Sequence, residues 1–206
     1  MTIDSLFEQL KHPNPNMRGR AMQELANNHD ESLILRLMAN LEDEDIVYRR
    51  ASVKTLGVIG VNAVPHIVKV LLSSDNPTVK ASCTKALAQV SANHPEIDFP
   101  QEGIEGLKTA VEDPNPVVYI PAVMALGQIG SPVIELLIDI VKTQKMDNLA
   151  VAIAAINALG SIGDPRAVGV LKELAEDESV DTYVRESATS ALPRLDMVMK
   201  YKNLGS

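Results

Sequence analysis

Apolar and polar positions along this 206-residue chain follow a helical period, and one register of them returns six times. Its anchors are Leu25, Leu56, Leu87, Leu126, Leu159 and Leu192, spaced 31, 31, 39, 33 and 33 residues apart. Eight positions ahead of them stand Met17, Tyr48, Val79, Val118, Val151 and Val184. Four ahead stand Ala21, Ser52, Cys83, Ala122, Ala155 and Ala188, and three behind come Asn28, Ile59, Val90, Ile129, Ile162 and Leu195. Steps of four, four and three hold these residues on one face of a helix. Asn28 interrupts the apolar stripe in the first copy, which predicts a shorter or frayed helix there.

The ends of the helices are written into the same register. Eleven positions before the anchors stand Asn14, Asp45, Asn76, Asn115, Asn148 and Asp181. These side chains accept hydrogen bonds from the open N–H groups of a helix start. Pro15, Pro77 and Pro116 follow directly, where a missing N–H costs nothing. Gly60, Gly130 and Gly163 lie four positions after their anchors and suit a helix stop. Ser131-Pro132 and Asp164-Pro165 then open second helices, "SPVIELLIDIVK" and "DPRAVGVLKELAED".

The unit is therefore helix, tight turn, helix. Five pairs fit, with unpaired capping helices near 2–11 and 182–200. Such pairs bury their apolar faces only by stacking on one another, so the expected architecture is an all-α, right-handed α-solenoid. It is read as one domain, 1–206. The third copy carries extra residues, placed as an insertion at 91–103, "SANHPEIDFPQEG", between its two helices.

Composition narrows the function. The formal net charge is −8 and aromatic residues make up 3%, with no tryptophan. Nucleic acid requires a phosphate-neutralising surface, so no nucleic-acid partner is expected. No apolar run reaches the roughly 18–20 residues that span a bilayer, and the start lacks a basic n-region, so neither a membrane partner nor a secretory signal is expected. The closing Leu204-Gly205-Ser206 carries no assigned role.

Cys83 is the single cysteine and stands where the other copies carry alanine or serine. That position calls for a small side chain between close helices, so Cys83 reads as structural, and no cluster is held by one thiolate. His12, His29, His66 and His94 show no metal-ligand spacing; His94 is expected to be solvated in the insertion. No phosphate loop or nucleophile elbow occurs, so no metal site and no catalytic residue is assigned. Arg18, Arg49, Lys80 and Arg185 recur seven positions before their anchors. With Asp45, Asp75 and Asp181 they are expected to form a ladder between repeats. Tyr48, Tyr119 and Tyr183 lie near the same turns. A solenoid presents an extended concave surface lined by second helices. The partner-binding candidates there are Arg36, His66, Lys69, Glu105, Lys108, Glu135 and Asp139.

"NPTVKASCTKALAQV", "NPVVYIPAVMALGQIGSP", "DTYVRESATSALPRL" and "DPRAVGVLKELAEDE" resemble the HEAT-like repeats of phycobilisome bilin lyases. The resemblance covers nearly the whole chain, and its length is similar to that of the smaller F-type or Z-type subunits. It implies a cytoplasmic protein of a cyanobacterium or plastid stroma. It implies phycobiliprotein subunits and a larger lyase subunit as partners, and transient contact with an open-chain tetrapyrrole (bilin) without a permanently bound cofactor. Any enzyme activity would be thioether-forming bilin attachment, in which the acceptor supplies the cysteine. No Asn-His-Cys segment is present, so bilin isomerisation is not implied, and the tryptophan-rich motif of E-type subunits is missing. The alternative reading is a non-catalytic adaptor scaffold, for example for iron–sulfur cluster assembly proteins.

Overall fold

A computed structural model describes residues 2–204; Gly205 and Ser206 of the closing segment lie outside the described residues. The helices are α1 (Ile3–Gln9), α2 (Pro15–Asn27), α3 (Glu31–Ala39), α4 (Ile46–Ile59), α5 (Val64–Ser73), α6 (Pro77–Asn93), α7 (Gln101–Val111), α8 (Pro116–Ile129), α9 (Ile134–Gln144), α10 (Leu149–Ile162), α11 (Ala167–Glu176) and α12 (Thr182–Leu204). The fold is all-α, of helix pairs α2–α3 through α10–α11, with α1 ahead of them and α12 after. No strand occurs among the described residues.

Helices α2, α4, α6, α8, α10 and α12 begin where the pattern places them because all six cap side chains are engaged, whereas α9 and α11 open at Ile134 and Ala167, two residues past Pro132 and Pro165, with no side-chain cap. The side-chain oxygens of Asn14, Asp45, Asn76, Asn115, Asn148 and Asp181 accept from backbone N–H groups two or three residues on, at 2.8–3.3 Å. Gly60, Gly130 and Gly163 take positive φ of 84°, 83° and 69°. Helix α2 is one residue shorter than α4, and the Asn28 side chain closes it by donating to the Glu24 carbonyl.

The chain divides between Pro121 and Ala122, inside α8, into two compact units. In the first, α2, α4 and α6 pack side by side as one layer, and α3, α5 and α7 form a second layer against it. In the second, α10 packs on α9 and α12, and α11 packs on α12. Leu25, Leu56 and Leu87 are fully buried in the first unit, and Leu126 and Leu159 in the second. Leu192 is only half-buried, since α12 is the last described helix and nothing packs on its outer side. The six small residues of the register, Cys83 among them, are all fully buried.

By length and composition alone, the helical stretch Ile46–Ser73 is apolar enough to cross a membrane, a property the sequence reading did not assign. It comprises α4, a turn at Gly60 and α5, and half of its most apolar window is buried inside the fold. The core position of these helices accounts for their apolar character.

The insertion is shorter and better anchored than expected. Helix α6 runs to Asn93 and α7 starts at Gln101, so only residues 94–100 form the loop. His94 is not solvated. Its side chain is 25% exposed, and its Nε2 lies 3.1 Å from the Val58 carbonyl. The ring lies over Gly60, where a Cβ would meet Nε2 at 2.6 Å. Phe99 packs against Gly103 at the start of α7, and Gly103 in turn lies against Val64 of the preceding repeat. The loop therefore folds back on the preceding repeat.

Candidate functional site

The second helices share a register. Their buried rows are Leu37–Met38 in α3, Ile67–Val68 in α5 and Gly106–Leu107 in α7. Arg36, His66 and Glu105 each precede these rows directly, and Lys69 and Lys108 follow them. The fold thus brings five of the seven candidate residues onto one side of the α3–α5–α7 layer. Glu135 and Asp139 lie on α9, in the other unit.

Their environments separate them. The Arg36 guanidinium pairs with Asp4 at 2.6 Å and lies 3.9 Å above the Phe7 ring, so it holds α1 in place. Glu105 accepts from the Gln101 side chain at 2.9 Å. Glu135 pairs with Arg166 at 3.3 Å. Lys69, Lys108 and Asp139 are exposed and His66 is half-buried, and none of these four side chains holds a hydrogen bond or ion pair. Of the candidates in the first unit, those left unengaged are therefore His66 and Lys69 on α5 and Lys108 on the neighbouring α7.

Other candidate chemistry is absorbed by the fold. Burial pushes the Cys83 thiol up to about 12, far from thiolate reactivity. No group of three or more His, Cys, Asp or Glu residues is placed to hold a metal ion among the described residues. A small cleft of about 60 Å³ in the first unit is lined by Leu71, Leu72, Lys80, Thr109, Ala110, Asp113 and Val118. That is room for about two waters rather than a tetrapyrrole.

The expected ladder takes another form. Arg18 donates to the His12 and Pro13 carbonyls, Arg49 to the Asp43 carbonyl, and Arg185 to the Glu178 and Val180 carbonyls. Each arginine thus ties down the turn before its own helix. Asp45 and Asp181 are unavailable to a ladder because they cap helices. Only Lys80 reaches the next repeat, pairing with Asp113 at 2.8 Å. Burial raises the Asp113 carboxyl, but bonds from Lys80 and the Asn115 N–H outweigh it and hold the group below its ordinary value. Of the tyrosines, Tyr48 is buried with Lys11 4.7 Å over its ring, Tyr119 is half-buried and Tyr183 is exposed.

Sequence reasoning missed the residues two before the caps. His12, Asp43, Ser74 and Asp113 each accept from the backbone N–H of the cap residue itself, at 2.8–3.1 Å. The signal was present as a recurring side-chain acceptor thirteen positions before an anchor. It also missed the Asp164–Arg166 clamp. Asp164 accepts from the Arg166 guanidinium at 2.7 Å and from its backbone N–H at 3.0 Å, with its side chain 8% exposed.

The bond from Arg166 holds the Asp164 carboxyl at about 2, below its unfolded value. A depressed folded value gives stability that is present above the unfolded pKa and lost as pH falls through the folded one. Asp164→Asn is expected to cost about 2 kcal/mol at neutral pH. The penalty should shrink as pH falls from about 4 to about 2. Thermal melts of both forms across that range check this; an unchanged gap at low pH would contradict it.

The HEAT-repeat family model matches residues 3–90 and 104–193, and the break between them, 91–103, coincides with the segment read from the sequence as an insertion and contains the 94–100 loop. Phycocyanin operon protein Z of Pseudanabaena tenuis (strain PCC 7409) is 52% identical over 98% of this chain and 99% of its own. Bilin biosynthesis protein CpeZ of Synechococcus sp. (strain WH8020) is 31% identical over 82% of this chain and 93% of its own. Among solved structures, a designed armadillo repeat protein in complex with the peptide (KR)4 shares 18% identity. It aligns at a TM-score of 0.51 over 95% of this chain and 100% of its own, a likeness of fold alone. Repeat register, helix pairing and these matches agree: the chain belongs to the HEAT-repeat family, among the relatives of phycocyanin operon protein Z and the bilin biosynthesis protein CpeZ.

Proposed function

We propose that this protein assists the attachment of bilins to phycobiliproteins, as a subunit or chaperone of a bilin lyase in the cytoplasm of a phototroph. The observation that carries the reading is the full-length match to phycocyanin operon protein Z, joined by the match to bilin biosynthesis protein CpeZ. The thioether forms on an acceptor cysteine, so the inert Cys83 is no obstacle. Lys69 and Lys108 are the groups suited to meet the carboxylates of an open-chain tetrapyrrole, because they are exposed and unpaired on adjacent helices. The adaptor role in iron–sulfur assembly gains no support from either relative.

Mixing the purified protein with apo-phycobiliprotein subunits and bilin should give co-elution and a red-shifted visible absorbance. Lys69→Glu with Lys108→Glu should weaken bilin binding about tenfold, the scale of one charge-assisted contact. No co-elution and no spectral shift, with or without a larger lyase subunit, would sink the reading.

A further inference from the structure

The charge of the first unit is sorted by layer. Helices α2, α4 and α6 carry seven arginines and lysines and a single acid, Glu24. The rest of residues 1–121 carries four basic residues against fifteen acids. The contrast is local to this unit, since α8 and α10 contain no charged residue at all.

Three of the seven cations serve the fold: Arg18 and Arg49 bind turn carbonyls and Lys80 pairs with Asp113. The other four, Arg20, Arg50, Lys54 and Lys85, are exposed and hold no hydrogen bond or ion pair. On α4, the middle helix, the solvent strip past its first turn consists of Arg50 and Lys54. Like charges four apart on a helix repel and destabilise it. No acid on α4 relieves that repulsion, and among the described residues neither side chain holds a hydrogen bond or ion pair that would offset it. Lys85 repeats the position of Lys54, 31 residues on, on the helix packed beside it.

We infer that the solvent face of α2, α4 and α6 is a docking surface for an acidic protein. Charge complementarity is the basis. A chain of net charge −8 repels an acidic partner everywhere except where its cations are gathered without their own acids. Nucleic acid fits less well, because four free cations within an acidic unit give few phosphate contacts. A lipid surface fits less well too, because membrane-binding helices interleave large apolar side chains with the cations, and Arg50, Lys54 and Lys85 have none exposed between them. The surface lies on the first helices of the pairs, whereas Lys69 and Lys108 lie on the second helices, so the inference stands independently of the proposed function.

The test compares two double variants with the same change in net charge. Lys54→Glu with Lys85→Glu alters the surface, and Lys142→Glu with Lys172→Glu alters two exposed, unpaired lysines of the other unit. Each is assayed for binding to immobilised poly-L-glutamate, duplex DNA and phosphatidylserine vesicles at about 50 mM salt, where screening is weak. Wild type should prefer polyglutamate, and the surface variant should lose affinity about tenfold, with the control changing less than about twofold. Lys54→Gln with Lys85→Gln gives the same direction if charge reversal disturbs folding, judged from melting curves. No binding to polyglutamate, stronger binding to DNA or vesicles, or an equal loss in the control would each overturn the inference.

Discussion

Phe7→Ala is expected to strip α1 from the array. Phe7 is fully buried, and α1 has only Leu6, Phe7 and the following Leu10 to seat it. Truncating a buried phenylalanine costs about 3–5 kcal/mol. The ring also carries the Arg36 guanidinium on its face, adding about 0.5–1 kcal/mol. A helix of seven residues has no stability of its own, so it detaches once its ring is lost. Amide exchange over residues 3–10 should accelerate strongly, while exchange in α9–α12 of the other unit stays as in wild type. Arg36→Ala is the informative companion, because its pair with Asp4 is exposed and worth about 1 kcal/mol or less. Protection of α1 that survives Phe7→Ala would show that the helix is held by something other than this ring.

That result bears on how the chain's second helices are read. Arg36 looks from the sequence like a free cation on a binding face, because periodicity reports which side of a helix a residue occupies and nothing about what comes to meet it. Asp4 lies 32 residues away and Phe7 is on a helix with no partner of its own, so neither contact was legible. The same limit hid the Asp164–Arg166 clamp. There, "DPR" reads as a helix start, yet α11 opens only at Ala167 with no side-chain cap, and Asp164 instead binds the guanidinium two residues on, which the Ser131 carbonyl and Glu135, more than 30 residues back, also hold. Helix starts were legible because a cap is local chemistry: Asn or Asp, then proline, then an apolar stripe. The insertion loop was misjudged at its first end because α6 carries on to Asn93 where three other copies stop at a glycine, and at its second because α7 opens at Gln101, directly after Pro100. His94 then finds its partner at Val58, 36 residues back. The cationic layer was present as residues in the sequence, yet it became visible only once α2, α4 and α6 were known to lie side by side and their arginines had been sorted into engaged and free.

Gly57→Ala should destabilise the protein, while Gly19→Ala should stabilise it, although both glycines lie inside helices. Alanine is favoured over glycine in a helix interior by roughly 0.5–1 kcal/mol. At Gly19, on exposed α2, a Cβ meets nothing within 4 Å, so that gain is expected in full. At Gly57 a Cβ would lie 2.3 Å from the Gln89 Cβ and 3.1 Å from the Gln89 backbone carbon, positions with no freedom to yield. Helices α4 and α6 would have to move apart, opening the interface that Leu56 and Cys83 fill, at about 2–3 kcal/mol of overpacking. The packing term exceeds the propensity term, so the sign reverses. For a chain of this size the expected fall in melting temperature is about 4–8 °C. Gly127 and Gly160 make the same approach in the other unit, each with an alanine Cβ 2.8 Å from where its own Cβ would stand. The residue after the anchor leucine is therefore where one repeat rests on the next. A stabilised Gly57→Ala would mean that α4 and α6 are not in contact there, and would remove the side-by-side layer on which the cationic surface depends.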